Sequence, residues 1–377
     1  MCPQASAHWW RPEFIRKGFD FVSTESLSAP KILDDLIHQA EKAGASDIHL
    51  HMADQAALVS FRLDGLMTPV STVPMEIADR VFGRIKFLAK MKTYQESMPQ
   101  DGRIEKSEVG SSHDIRVATY PTVTGEKIVL RLFTDAAAKS LRELDFPPDI
   151  CTQLERFLGQ SSGLLLLTGP SGSGKTTTIY ACLRHLAGLG GRQIITVEDP
   201  VERIIPGVMQ TEVSEARGLT FSKAARHLLR QDPQVLVIGE IRDDETAGIV
   251  VRAALTGHMV ISTIHAGSCR GVLERLMVMC PDHHAVTSVI GLVLNQRLVR
   301  RVCPGCGGKG CGVCLNTGFA GRAPVTEWLH VDESLRAQIR DHGIQSLQPG
   351  KSLEESARAL RERGVTSETE CQRVIGI

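Results

Sequence analysis

The spacing of Gly169, Pro170, Ser171, Gly172, Ser173, Gly174, Lys175 and Thr176 fits G-x-x-x-x-G-K-[ST], a loop suited to cradling a polyphosphate. Glycine lets the backbone curl until its N–H groups converge on phosphate oxygens, at the positive end of the helix that follows. In such a loop Lys175 reaches the β and γ phosphates and the Thr176 hydroxyl coordinates Mg²⁺. Gly172 and Ser173 suit the tightest part of the turn, and Thr177 continues it. An apolar strand before the loop, Leu164 to Leu167, and a helical stretch after it, Thr176 to Ala187, separate it from an ordinary glycine-rich turn.

Carboxylates follow two further apolar runs. Gln193 to Val197 leads into Glu198, Asp199 and Glu202, and Val235 to Ile238 leads into Glu240. Acids so placed orient water or hold a metal's coordination shell. Glu240 closely follows its strand, the place for a base that polarises water attacking a γ phosphate. Glu198 is the second catalytic candidate, and Asp199 and Glu202 are candidates for the metal shell. Asp243, Asp244 and Glu245 precede a helical stretch and read as caps. His258 and His265 bracket a fourth strand, Met259 to Ile264, and are read as sharing one sheet edge. There a histidine either contacts a phosphate and relays its loss or is a satisfied core residue.

Cys303 and Cys306, then Cys311 and Cys314, form two C-x-x-C pairs four residues apart. Such pairs let the sulfurs face one tetrahedral Zn²⁺, and Gly305, Gly307, Gly308 and Gly310 allow the close turns. Four thiolates leave no open position, so the metal is structural; reduced free thiols are the alternative. Cys151, Cys182, Cys269, Cys280 and Cys371 lie apart from any pairing pattern and read as buried or inert. Arg297, Arg300, Arg301, Lys309 and Arg322 surround the pairs in sequence and read as a solvated charged face.

Strands alternating with helical stretches from Leu164 to Ile264 imply a parallel sheet wrapped by helices, with ligands beyond the strands' carboxyl ends. Upstream, Ile32, Leu33, Leu36, Ile37 and Ala40 have helical spacing, as do apolar positions in Ile77 to Leu88. Short strands are expected near Asp47 to Leu50, Leu58 to Leu63, Asp114 to Thr119 and Lys127 to Phe133. The expected plan is an arm over 1–29 and a mixed α/β domain over 30–133. A linker over 134–148 follows, closing on Pro147 and Pro148, and the nucleotide domain spans 149–377, with the cysteine element at 303–314 and a helical end. Lys plus Arg equals Asp plus Glu at 43 each, so no global field favours nucleic acid, and none is expected as a direct partner. Neither a membrane-length apolar run nor a secretory leader pattern is seen, so the chain reads as cytoplasmic.

Taken in order, TGPSGSGKTTT, ITVEDPVE, GLTFSKAARHLLRQDPQVLVIGEIRDDETA and TGHMVISTIHA resemble the Walker A, Asp-box, Walker B and His-box segments of the type II secretion and type IV pilus ATPase family. ASDIHLH, FRLDG, PQDGRI and DIRVATYPTVTGEKIVLRLF look like the domain preceding the motor in that family, and LNQRLVRRVCPGC with CGVCLNTGFAGRAPVTEWL resembles the four-cysteine element of its assembly branch. The resemblance implies a RecA-like P-loop core preceded by a smaller mixed α/β domain. It also implies a homo-hexamer that hydrolyses ATP with Mg²⁺ and drives an inner-membrane platform protein, peripheral to the cytoplasmic membrane. By motif position Arg103 and Arg116, with Arg131 behind them, would supply charge at the transferring phosphate. In related chains the spacer between the cysteine pairs is usually much longer. The family's large first domain is replaced here by some thirty residues including Trp9 and Trp10, which read as an aromatic anchor or a tail. The expected activity is assembly of pilin-like subunits in type II secretion, type IV pilus biogenesis or DNA uptake. Retraction, conjugation-type secretion and a nucleotide-binding scaffold without hydrolysis are the alternatives.

Overall fold

The computed structural model describes residues 28–53, 55–132, 139–214 and 217–376. The arm with Trp9 and Trp10 lies outside them. By internal contacts the chain divides into two compact units, Met1–Ala136 with Val302–Gly321, and Ala137–Arg301 with Arg322–Ile377.

In the first unit, the helix Ala29–Lys42 buries Ile32, Leu33, Leu36, Ile37 and Ala40, one stripe at helical spacing. A second helix, Met75–Leu88, buries Val81, Phe82 and Ile85 in the same core. These stripes pack with a sheet of β1 (Asp47–Met52), β2 (Ala56–Leu63), β3 (Leu66–Pro74), β4 (Gln100–Ile104), β5 (Ile115–Thr122) and β6 (Gly125–Leu132). The order is β3-β2-β1-β6-β5-β4, with antiparallel pairings. Alternation along β5 buries Ile115 and Val117 and leaves Arg116 outside, as a half-buried sheet requires. The cysteine loop, assigned from sequence to the second domain, groups with this unit: Leu315 packs against its core and the Gly321 N–H donates to Asp64 Oδ2 at 3.0 Å. Chain order does not dictate which core an excursion of that length settles on.

The second unit holds β7 (Gly163–Thr168), β8 (Ile194–Glu198), β9 (Met209–Glu212), β10 (Val235–Ile238), β11 (Met259–Thr263), β12 (Ile290–Val302) and β13 (Phe319–His330). Their order is β13-β12-β7-β11-β10-β8-β9, and every pairing from β12 through to β9 is parallel. Leu164 to Leu167 are wholly buried, which explains why β7 reads as a continuous apolar run. Pro147 and Pro148 do not exclude helix; they open the helix Pro148–Leu158. Proline suits a first turn, whose N–H groups have no intrahelical partner.

The arginines read as one solvated face are engaged separately. Arg301 pairs with Asp145, whereas Arg300 and Arg373 both bind Glu370, whose side chain is wholly buried. Burial pushes the Glu370 carboxyl up, but the guanidiniums of Arg373 and Arg300 outweigh it and hold the pKa at about 2 instead of 4.5. A carboxyl depressed in this way stabilises the fold above its unfolded value, and that contribution disappears as pH falls from about 4.5 to about 2. Glu370→Gln should therefore lower stability at neutral pH by about 3 kcal/mol, since it leaves Arg300 under-compensated. Urea denaturation at pH 7 measures that loss, and the gap between parent and variant should narrow below pH 4.5.

Candidate functional site

The turn after β7 carries the glycine-rich loop. Gly172 and Gly174 have φ of 75° and 92°, conformations that side-chain-bearing residues adopt at a cost. The helix Lys175–Leu189 begins immediately after, so Lys175, Thr176 and Thr177 form its first turn and their N–H groups are without intrahelical acceptors. Ser171, Gly172, Thr176 and Thr177 are exposed, while Ser173 is buried with its hydroxyl unpaired. Ser173 thus offers the loop its backbone, because its side chain has turned inward beside Gly169. Lys175 Nζ donates to the carbonyls of Gly169 at 2.8 Å and Pro170 at 3.1 Å. Burial lowers the Lys175 pKa, Glu240 opposes that, and Arg297 adds to it.

Glu240 is fixed by the sheet beneath it. Gly239 N donates to Val197 O at 2.8 Å on one side, and Ile241 N donates to Thr263 O at 2.8 Å on the other. At the carboxyl end of β11, Ile264 N reaches Leu167 O at 3.0 Å, and the Thr168 hydroxyl donates to Ala266 O and accepts from Ala266 N, both at 2.9 Å. These ties bring His265 Nε2 within 3.0 Å of Glu240 Oε1, while Arg242 Nε donates to Glu240 Oε2 at 3.0 Å. One carboxylate, 20% exposed, thus stands in electrostatic reach of Lys175 with a histidine and an arginine holding it.

His258 does not share that edge. It precedes β11 at the amino end, with Nδ1 2.9 Å from Ala253 O, so roughly 15 Å of strand separates it from His265. A parallel strand sends its two flanking residues to opposite edges, and sequence adjacency to the same strand conceals this. Glu198, the second catalytic candidate, lies among hydrogen-bond donors of its own unit. The Tyr180 hydroxyl donates to it, as do the Thr196 hydroxyl at 2.5 Å and Gln210 Nε2 at 2.9 Å, which leaves its buried carboxylate occupied as a scaffold. Tyr180 Oη also accepts from the N–H groups of Glu202 and Arg203, so the acid fixes the path of the loop after β8. Asp199 and Glu202 are exposed on that loop, Asp199 facing Arg242 Nη1 at 3.6 Å. Asp243 caps the helix Asp244–Leu255 by accepting from Thr246 N at 2.7 Å, as its position predicts.

In the first unit, strand register lines up the three arginines singled out from the sequence. Arg103 lies opposite Arg116, Arg116 opposite Arg131, and Arg131 opposite Asp47, whose other neighbour is Arg62. Asp47 Oδ1 accepts from Arg131 Nε at 3.0 Å, and Asp114 binds Arg103. Like charges directly opposite one another cost stability, and Asp47 and Asp114 offset part of that cost at the two ends of the row.

The four cysteine sulfurs lie within 4.8 Å of one another. Cys303–Cys311, Cys306–Cys314 and Cys311–Cys314 separations are 4.0, 3.9 and 3.8 Å. A zinc tetrahedron with bonds of about 2.3 Å has sulfur–sulfur edges of about 3.8 Å, whereas a disulfide needs about 2.05 Å. The sulfurs therefore fit Zn²⁺. The N–H groups of Gly310, Cys311 and Gly318 point at Cys306 or Cys314 sulfur, which favours thiolate.

The sequence reading passed over Asn295, Gln296 and Glu327, and took Arg297 for part of a solvated charged face, whereas it donates to Asn295 and to the Gln296 carbonyl. Asn295 Nδ2 donates to Gly267 O at 3.0 Å and to Glu327 Oε2 at 3.3 Å, while Arg297 donates to Asn295 Oδ1 at 2.8 Å. The available signal was three successive polar residues ending the apolar run Ile290 to Leu294, two of which are buried.

A family model described as "Type II/IV secretion system protein" matches residues 23–374. The Pseudomonas aeruginosa type II secretion system protein HxcR is 38% identical over 362 residues, covering 93% of this chain and 76% of that protein. The Thermus thermophilus type IV pilus assembly ATPase PilB is 35% identical over 372 residues, covering 91% of this chain and 41% of that protein. Among solved structures, the Legionella pneumophila ATPase DotB superposes with a TM-score of 0.73 at 20% identity, covering 93% of this chain and 97% of that one. The pilus retraction motor PilT with bound ADP gives 0.66 at 24% identity, covering 92% and 97%. At those identities the two structures establish the fold.

Proposed function

The chain belongs to the type II/IV secretion system protein family, and from that premise we propose that it is an ATP-hydrolysing motor assembling pilin-like subunits. It works as a homo-hexamer beneath an inner-membrane platform protein, at the inner face of the cytoplasmic membrane. Its attachment to the membrane runs through partners in this reading; among the described residues no helix is long and apolar enough to cross a membrane. The observation that carries the ATPase reading is Glu240 beside His265, in electrostatic reach of Lys175, at the carboxyl edge of a parallel sheet. The four-cysteine element supports assembly over retraction, by resemblance to the assembly branch.

In this reading the loop amides and Lys175 bind the β and γ phosphates, while Glu240 accepts a proton from the attacking water. His265 holds the Glu240 carboxylate in position. The Thr176 hydroxyl would hold Mg²⁺, which when bound would neutralise charge on the phosphates. Arg103, Arg116 and Arg131 supply further positive charge at the transferring phosphate of the assembled ring. Zn²⁺ at Cys303, Cys306, Cys311 and Cys314 is structural.

Lys175→Ala tests the reading. Nucleotide affinity should fall about 10–100-fold through loss of one charge-assisted contact, and phosphate release from ATP should drop to background. Phosphate release unchanged from the parent would end the proposal.

A further inference from the structure

The phosphate loop is held from outside by one residue of the neighbouring strand. β12 runs parallel to β7, and its last pair with that strand is Asn295 opposite Thr168, so Gln296 comes level with the start of the loop. Gln296 is 3% exposed. Its side-chain Oε1 accepts from the Thr178 hydroxyl at 2.9 Å, on the first helix after the loop. A Cβ added at Gly174 would stand 2.7 Å from Gln296 Nε2, and one at Gly169 would collide with Gln296 O. The backbone of Gln296 thus abuts the first glycine of the loop, its amide abuts the last, and its carbonyl oxygen anchors the helix they feed.

Two consequences follow. Gly169 and Gly174 have to lack side chains to admit Gln296, independently of any approach to phosphate. The loop's curvature, on which convergence of its N–H groups depends, is bounded on its outer side by one buried amide residue, beside the bonds of Lys175 and Ser173 within the loop.

We infer that Gln296 is a positioning residue for nucleotide, bracing the loop between Gly169 and Gly174 in the form that receives the phosphates. It touches neither phosphate nor water itself and acts through the loop. The inference rests on the ATP-site reading above and adds a residue to it.

The test uses the full chain with Gln296→Leu, which keeps the volume and removes the amide. A second variant, Thr178→Val with Gln296→Leu, removes the hydroxyl that the first leaves buried without a partner. Binding of a fluorescent ATP analogue, melting temperature and steady-state kinetics are measured on both, with the parent and Lys175→Ala alongside. The expected result is a roughly 10-fold or greater rise in Kd and in KM for both variants, with kcat changed less than about 3-fold and the double variant melting near the parent. A merely structural role would lower the melting temperature and leave the folded protein's Kd alone. A double variant that is folded and binds with parental Kd overturns the inference, as does failure of both variants to fold while Thr178→Val alone, which cuts the same anchor, binds like the parent. If Lys175→Ala binds as tightly as the parent, the nucleotide site itself is misassigned and the inference falls with it. If Lys175→Ala loses binding and the Gln296 variants keep it, only the inference falls.

Discussion

Glu240→Gln should cut ATP turnover by about 10²–10⁴-fold while nucleotide affinity stays within a few-fold of the parent. The substitution preserves shape and keeps an oxygen for His265 or Arg242, each 3.0 Å from the carboxylate, but removes the group able to take a proton from water. The backbone ties of Gly239 and Ile241 to the strands on either side do not involve the side chain, so the loop should keep its place. Steady-state phosphate release and binding of an ATP analogue check the two halves separately. Turnover within about 3-fold of the parent would remove Glu240 from the chemistry, and background phosphate release from the parent itself would revive the scaffold reading, in which nucleotide is bound and not split.

Zinc occupancy gives the second large effect. The parent should carry one zinc per chain, and Cys314→Ser should weaken it by more than the roughly 10–100-fold that loss of an outer hydrogen-bonding partner costs. Cys314 is buried and its sulfur receives N–H groups from Cys311 and Gly318, so the loop's turns and its metal depend on the same atom. Elemental analysis should read the stoichiometry, and hydrogen exchange should show residues 303–318 losing protection in the variant and in chelated parent. A metal-free parent whose exchange is indifferent to chelator would return the four sulfurs to ordinary thiols. Because the loop packs on the first unit through Leu315 and Asp64, loosening should extend into the β2–β3 turn.

Much of this was legible because the signals are local. A glycine loop between an apolar strand and a helix is a short-range pattern, and the strands β7, β8, β10 and β11 each announce themselves as buried runs. The two C-x-x-C pairs and the capping role of Asp243 belong to the same class. Glu198 shows where locality fails: its neighbours in sequence suggested metal or water, yet its partners Tyr180 and Gln210 come from other elements. The arginine row fails in the opposite direction. Arg103, Arg116 and Arg131 were named singly from motifs, and only the antiparallel register makes them adjacent.

By itself the sequence picked out the candidates for the chemistry proposed: the loop with Lys175, the acid Glu240, the cysteines from Cys303 to Cys314 and the β-α rhythm that presents them. Tertiary structure decided which of two histidines flanking one strand meets the acid, which core the cysteine loop joins, and that Gln296 braces the phosphate loop. The division has a physical cause. Backbone conformation and strand or helix periodicity are set by neighbours within a few residues, whereas strand direction, register and side-chain partners are fixed only when distant segments compete for the same buried hydrogen bonds and volume.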